Sequence, residues 1–421
     1  MKSSRRIVLR GVAAAAAVLA VSACSSSSKS STATTAATPT SASGSQTTSA
    51  SSTPTGTPIK VGVVCSCTGP LASTGVDTVP VLKAWASSVN DAGGINGHPI
   101  DLVVKDDAST PGTSQAAADS LIQSDHVIAI VDDTNDDETW AAQVKSAGVP
   151  VVGLNSSETP FFTSSDFYPE AQTEDSLFAS ILDSAKSAGA TNLGLLYCAE
   201  AVQCQEGIAP LKQAGQKLGL PVTFSAEVAA TAPNYTAQCL AAQQAHVTAL
   251  FIADIGAVAQ KVAQDCLTQG YHPIYVLDGQ TISQSYASSP GLKDNLVGPT
   301  PNVPFFANTP AVQEMNAAID KYQPGLRQDA VKYNEYAMGA WVSGKLFEKG
   351  AQLGGLGANG STPSSAQLVN GLNMINNETL GGLAPPLTFT AGQPHPVDCW
   401  FNFAIKNGSY QLPNGTSTTC Q

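Results

Sequence analysis

Few residues in this 421-residue chain could carry chemistry, and they are scattered. Nine cysteines and five histidines are present. The chain has no Gly-x-Ser-x-Gly elbow, no His-Glu-x-x-His pair and no glycine-rich phosphate loop followed by Lys. It has no Cys-x-x-Cys, and its histidines lie far apart, so neither a zinc cage nor another metal site or cofactor is expected. Two kinds of chemistry remain. Thiols can be oxidised in pairs or acylated. Carboxylates, dense in "DDTNDDE" (132–138), can cap a helix and satisfy its dipole, or can face a ligand. A carboxylate pair hidden in a cleft would be the one route to a secreted hydrolase.

Cys24 stands apart from the other cysteines. Lys2, Arg5, Arg6 and Arg10 form a positive start, and Val12 to Val21 is almost wholly Ala, Val and Leu. That apolar run is about half the ~20 residues needed to span a bilayer, and it fits an export signal that is removed. Val21, Ser22, Ala23 and Cys24 resemble a bacterial lipobox, in which the signal is cut before the cysteine and the thiol carries lipid. An ordinary soluble signal with an incidental cysteine is the competing reading. Residues 1–23 are therefore expected to be a lipoprotein signal peptide. Residues 24–57 are mostly Ser and Thr, with no aromatic or branched aliphatic residue, and are expected to be a disordered tether. Such a tether reaches roughly 30 Å, at about 5–6 Å × √n. The expected location is extracytoplasmic, with membrane contact through the N-terminal lipid.

Eight cysteines then remain, an even number in an exported chain, which implies disulfides. Cys198 and Cys204 bracket one short loop. Cys239 and Cys266 sit at the helical period of two helices that should be neighbours. Cys399 and Cys420 would close the C-terminal extension. Cys65 and Cys67 are left either as each other's partner or as free thiols. The formal charge is −12, and removing the four basic residues of the signal leaves −16, which argues against a nucleic-acid partner.

From Ile59 onward, short β-branched runs alternate with helical patterns. Strands are expected at 59–64, 100–104, 127–131, 149–152, 193–197, 222–226, 248–252 and 274–277, apolar on both faces as strands covered by helices must be. Apolar residues recur at helical spacing between them: Leu82, Trp85 and Val89; Trp140 and Val144; Leu177 and Ile181; Val258, Val262 and Cys266. Further helices are expected around 310–324 and 330–350, and "GGLGANGSTPSS" (354–365) as a surface loop. "DCWFNFAIKNGSYQL" ends the chain as a hairpin turning at Asn407-Gly408. The strand–helix series occurs twice, implying two α/β lobes with a cleft at the carboxyl ends of their sheets.

At this point the order of elements resembles a known family. "IKVGVVCSCTGPLASTG", "LVVKDDASTPGTSQAAADSLIQSDHVIAIVD", "AGVPVV" and "NYTAQCLAAQ…ALFIA" are similar to the periplasmic-binding-protein type I family, and within it to the leucine/isoleucine/valine-type receptors of ABC importers. The resemblance implies two parallel-sheet lobes joined by three hinge crossings. One lobe would be 58–171 plus 303–382, the other 172–302 plus 383–421. It implies capture of a small polar ligand, an amino acid or amide, without chemistry on it, and delivery by a monomer to a membrane permease. A ligand sensor of the same fold is the alternative.

The ligand set follows from the same resemblance. In the turn after the first strand, Thr68-Gly69-Pro70 is followed by Ser73 and Thr74. After the third strand come Asp133, Thr134 and Asn135, where relatives carry small hydroxyl residues rather than acids. After the fourth come Asn155, Ser156 and Ser157. The second lobe would add Glu200, Asp254 and either Asp278 or Gln280, of which Asp278 suits an ammonium group. Asp137 is expected on the rim.

Overall fold

The computed structural model describes residues 53–72, 75–199, 202–330 and 332–421. Cys24 and the expected signal and tether lie outside them, apart from the tether's last residues, 53–57. The first sheet has five parallel strands in the order β2-β1-β3-β4-β5: β1 (Ile59–Cys65), β2 (Ile100–Asp106), β3 (Ala129–Asp133), β4 (Val151–Leu154) and β5 (Phe167–Tyr168). The second sheet contains β6 (Leu193–Cys198), β7 (Val222–Val228), β8 (Ala249–Ala253), β9 (Ile274–Val276) and β10 (Leu296–Thr300), all parallel. It is extended by three antiparallel strands: β11 (Cys399–Lys406), β12 (Ser409–Gln411) and β13 (Thr419–Cys420).

All eight strand expectations coincide with strands, and β11 and β12 turn at Asn407-Gly408 as expected. The added pieces had weak signals. β5 and β13 are two residues each. β10 reads "LVGPT", and its Gly-Pro pair looks like a break. β10 is nevertheless central, because all five of its residues pair with β11 and its Leu296 and Val297 also pair with β9. The loop 354–365 is less exposed than expected. Leu356 is fully buried and anchors it, and Ser364 starts a short helix, Ser365–Leu372, through a capping box with Gln367.

Helices cover both faces of each sheet, so the strands lose water on both sides. Helix Thr78–Asp91 buries Val81, Leu82 and Trp85. Helix Tyr336–Leu353 crosses it at Gly344, where a Cβ would stand 2.5 Å from the Trp85 ring, so only glycine permits this approach. The Trp85 indole N–H then reaches Glu348 Oε1 at 2.9 Å.

The chain passes between the two sheets three times, and the three passes are tied to one another. The Gln172 N–H donates to Pro301 O (3.5 Å), and Asn302 Nδ2 donates to Glu170 O (3.1 Å). The Thr173 N–H donates to Val397 O (3.1 Å), while its hydroxyl accepts from the Val397 N–H (2.9 Å). The Val303 N–H donates to Leu383 O (2.9 Å). These bonds fix residues 170–173, 301–303 and 397 as a narrow floor between the lobes.

The three expected disulfides are present: Cys198–Cys204, Cys239–Cys266 and Cys399–Cys420. Cys65 and Cys67 are also bonded, which resolves that pair as partners. Cys239–Cys266 joins helix Thr236–Gln244 to helix Gly256–Thr268 in the core, across 27 residues of sequence. A loop of that size restricts the unfolded chain, which is worth ~2–4 kcal/mol. Replacing both cysteines by Ala is expected to lower unfolding free energy by about that amount in a denaturant titration. Peptide mapping that finds these thiols free in native protein would remove the assignment.

Candidate functional site

The turns that end β3 and β4 form one hydrogen-bonded unit. The Asp132 carboxylate accepts the Thr134 N–H (3.1 Å), and the Thr134 hydroxyl accepts the Asp136 N–H (3.1 Å). Asn155 Nδ2 donates to Thr134 O (2.7 Å), and the Ser157 hydroxyl donates to Asn155 Oδ1 (2.7 Å). Asn135 Nδ2 donates to Glu158 Oε1 (2.6 Å), and the buried Ser156 hydroxyl donates to Glu170 Oε2 (2.9 Å). Side-chain donors expected to meet a ligand are thus spent on the protein's own acceptors. Thr134, Asn135 and Asn155 brace the turns and line neither of the cavities described below.

From the second sheet, Asp278 follows the end of β9 and accepts the Gln280 N–H (3.1 Å), holding a tight turn. Gln280 Oε1 accepts the Tyr336 hydroxyl at 3.4 Å. Asp254 accepts the Ile255 N–H (2.7 Å) just after β8 and lines neither of these cavities. Ser73, Thr74 and Glu200 lie outside the described residues.

Two small cavities lie where the sheets' carboxyl ends meet above the crossings. The first is walled by Ser156, Glu170, Gln280, Asn302, Glu335 and Tyr336 among others. The second is walled by Ser157, Gln172, Thr173, Glu174, Asp278 and Gln280 among others. Each holds about 10 Å³, close to what a single water needs. Gln280 and Pro301 form walls of both. The structure therefore brings Ser156, Ser157, Asp278 and Gln280 together, and adds Glu170, Glu174, Glu335 and Tyr336, which sequence reasoning missed. Their signal was faint: isolated acids in "YPEAQTED" and "YNEY", beside apolar stretches.

Among the described residues, no Lys, Arg or His lines either cavity. Burial is the largest cause of the high carboxyl pKa values here. It pushes Glu170 up to about 8 and Asp278 to about 6. Glu174 is raised well above the ordinary range by burial, then by the charges of Asp278 and Glu158. Glu335 is raised by burial, then by Asp77. By area Glu174 and Asp278 are only half-buried, but both sit in the cleft between the sheets. Behind this layer, burial lifts Asp77 and Glu158 to about 7, and lifts Asp133, which also faces Asp77.

Two expectations for the acidic run change. Asp137 is fully buried, not on the rim, and burial raises it to about 8 beside Glu158. No side chain of the run caps the short 3-10 helix Asp137–Thr139 through a hydrogen bond at its start. The run folds inward because Asp132 and Thr134 close a turn on themselves.

A family model described as periplasmic binding protein matches residues 58–409. The chain belongs to that family. No curated protein matches it. Among solved structures, it resembles a branched-chain amino acid ABC transporter protein from Thermus thermophilus with bound valine, at TM-score 0.74 and 12% identity, covering 87% of this chain and 98% of that one. It also resembles a fatty acid ABC transporter substrate-binding protein from Thermomonospora curvata, at TM-score 0.70 and 17% identity over 87% and 93% of the two chains. A third is an R. palustris solute-binding protein in complex with benzoate, at TM-score 0.68 and 14% identity over 86% and 98%. These likenesses establish the two-lobed fold.

The buried carboxyls set the sign of a pH effect. Unfolded, Asp and Glu ionise near 3.8 and 4.5; folded, Asp278, Asp77, Glu158, Glu170 and Asp137 ionise between about 6 and about 8. The folded state holds protons that the unfolded chain releases, so these groups cost no stability below about pH 4, and stability falls as pH rises from there through about 8. Calorimetry without added ligand is expected to give a higher melting temperature at pH 5 than at pH 8. The reverse order would mean that these groups are ionised and paired.

Proposed function

We propose that this protein is an extracytoplasmic solute-binding lipoprotein that captures a small polar ligand between two lobes and presents it to an ABC permease. The observation that carries this reading is the pair of adjoining cavities, walled by strand-end turns of both sheets and by the first two crossing segments, at 170–174 and 301–302. A ligand there touches both lobes at once, so its binding favours the closed arrangement. We assign 58–171 plus 303–382 to one lobe and 172–302 plus 383–421 to the other, and take the protein to act as a monomer. The solved proteins it resembles are named for transport of branched-chain amino acids and fatty acids, or hold benzoate, and they support a transport role without fixing the ligand. Binding, not turnover, is the role assigned to the cleft carboxylates.

Anchoring rests on Cys24 and its flanking residues. Among the described residues no helix is long and apolar enough to cross a membrane. Lipid on Cys24 would hold the body at the surface without one.

Two measurements test this reading. Native mass spectrometry of purified protein, followed by a thermal-shift screen of amino acids, amides, amines, carboxylates and sugars, is expected to reveal at least one ligand that raises the melting temperature. A blank across the whole screen would remove the solute-binding reading. Cys24→Ala is expected to release the protein into the medium or to leave it unprocessed. A wild-type N-terminus without lipid mass would remove the anchor.

A further inference from the structure

We propose that the cleft is built for an elongated organic dication, a linear diamine or polyamine, and rejects ligands carrying a carboxylate; this rests on the solute-binding reading above. The first cavity is walled by Glu170 and Glu335, and the second by Glu174 and Asp278. Each is about the size of a water, and an ammonium group is close to a water in size. The shared walls, Gln280 and Pro301, place the two cavities next to each other. One molecule with a positive nitrogen at each end would fill both, with its methylenes beside Pro301.

An observation independent of the acidic character points the same way. Glu335 is 2% exposed, and its Oε2 accepts the Phe305 N–H at 3.1 Å, but its Oε1 has no hydrogen-bond partner. A buried polar oxygen left unpaired is costly, so this carboxyl calls for a partner inside the cavity, a water or a ligand, that no protein group supplies. Glu170 faces the same cavity.

The donors tell the complementary half. An amino acid's carboxylate needs free hydroxyl or amide N–H groups. Here the Ser156 hydroxyl serves Glu170, the Ser157 hydroxyl serves Asn155, Asn302 Nδ2 serves the Glu170 carbonyl, and the Tyr336 hydroxyl serves Gln280. Once ionised, the four carboxyls leave the cavities with acceptors in excess and few side-chain donors. A bare metal ion is less suited than an organic cation, because among the described residues no three His, Cys, Asp or Glu side chains converge as ligands.

The test is calorimetric titration of the mature protein at pH 7.5 with 1,4-diaminobutane, 1,5-diaminopentane, butylamine, 4-aminobutyrate and leucine. At least one diamine is expected to bind about tenfold or more tighter than butylamine, and both amino acids to bind more weakly still. Glu335→Gln and Asp278→Asn each keep the size of the side chain and mimic its protonated form, so both should fold. Each is expected to weaken diamine binding by about tenfold to a hundredfold, the loss typical of a hydrogen bond to a charged group. Three results would overturn the assignment: no binding of either diamine to the wild type, equal or tighter binding of leucine or 4-aminobutyrate, or unchanged diamine affinity in both variants. If another ligand from the wider screen binds while the diamines do not, only the dication assignment falls and the solute-binding reading stands.

Discussion

The structure turns on a single electrostatic constraint: carboxyl groups from both lobes are buried in one cleft, and among the described residues no basic side chain lines it. A buried ionised carboxylate is unfavourable unless it is paired or well hydrogen-bonded. Without a pair it keeps its proton, which is what the raised values of Glu170, Glu335 and Glu174 express. Most acids in a protein of this charge lie harmlessly in water. These lie where the chain crosses from one sheet to the other, and they cannot leave without opening the lobes.

The backbone is arranged to hold them there. Glu170 and Glu174 flank the first crossing, whose Gln172 and Thr173 bond to the other two passes at Pro301 and Val397. Glu335 precedes helix Tyr336–Leu353, and that helix is locked to the first lobe by the close approach of Gly344 to Trp85. Asp278 ends β9 in a turn closed by its own side chain. Each acid therefore hangs from a rigid element, and the geometry between them is set by the hinge rather than by flexible loops. That rigidity makes the surplus of acceptors a property of the fold and not of one rotamer.

The sequence shows the scaffold far better than the site. Strands buried on both faces are continuous apolar runs, and "IKVGVV" or "TALFI" admits few other readings. Cysteine pairing was legible wherever both partners sat in one loop or on adjacent helices, and ambiguous for Cys65 and Cys67, which are separated by a single residue. The site was legible only where a strand's end announces it, as at Ser156, Ser157 and Asp278. Glu170, Glu174 and Glu335 have no local signature, because their importance comes from crossings that bring together residues far apart in the chain. The run 132–138 misled in the opposite direction. Its density of charge suggests a solvent-facing rim, but the turn Asp132–Thr134 folds Asp137 inward.

The same constraint determines how a ligand and protons must relate in this cleft. In this structure Glu174 of the crossing feels the charges of Asp278 on one side and Glu158 on the other. Like charges at that range in a poorly hydrated space oppose closure. Closure is tolerated once they are neutralised, and neutralisation can come from bound protons or from positive charge on the ligand. Both occupy the same few oxygens, so they compete. A ligand shifts the lobes only by the difference in its affinity for the two arrangements. A cationic ligand would gain that difference from whichever arrangement holds these acids closer together. A neutral or anionic ligand leaves the protons as the only neutralising charge, and so gains little from the acids that closure assembles.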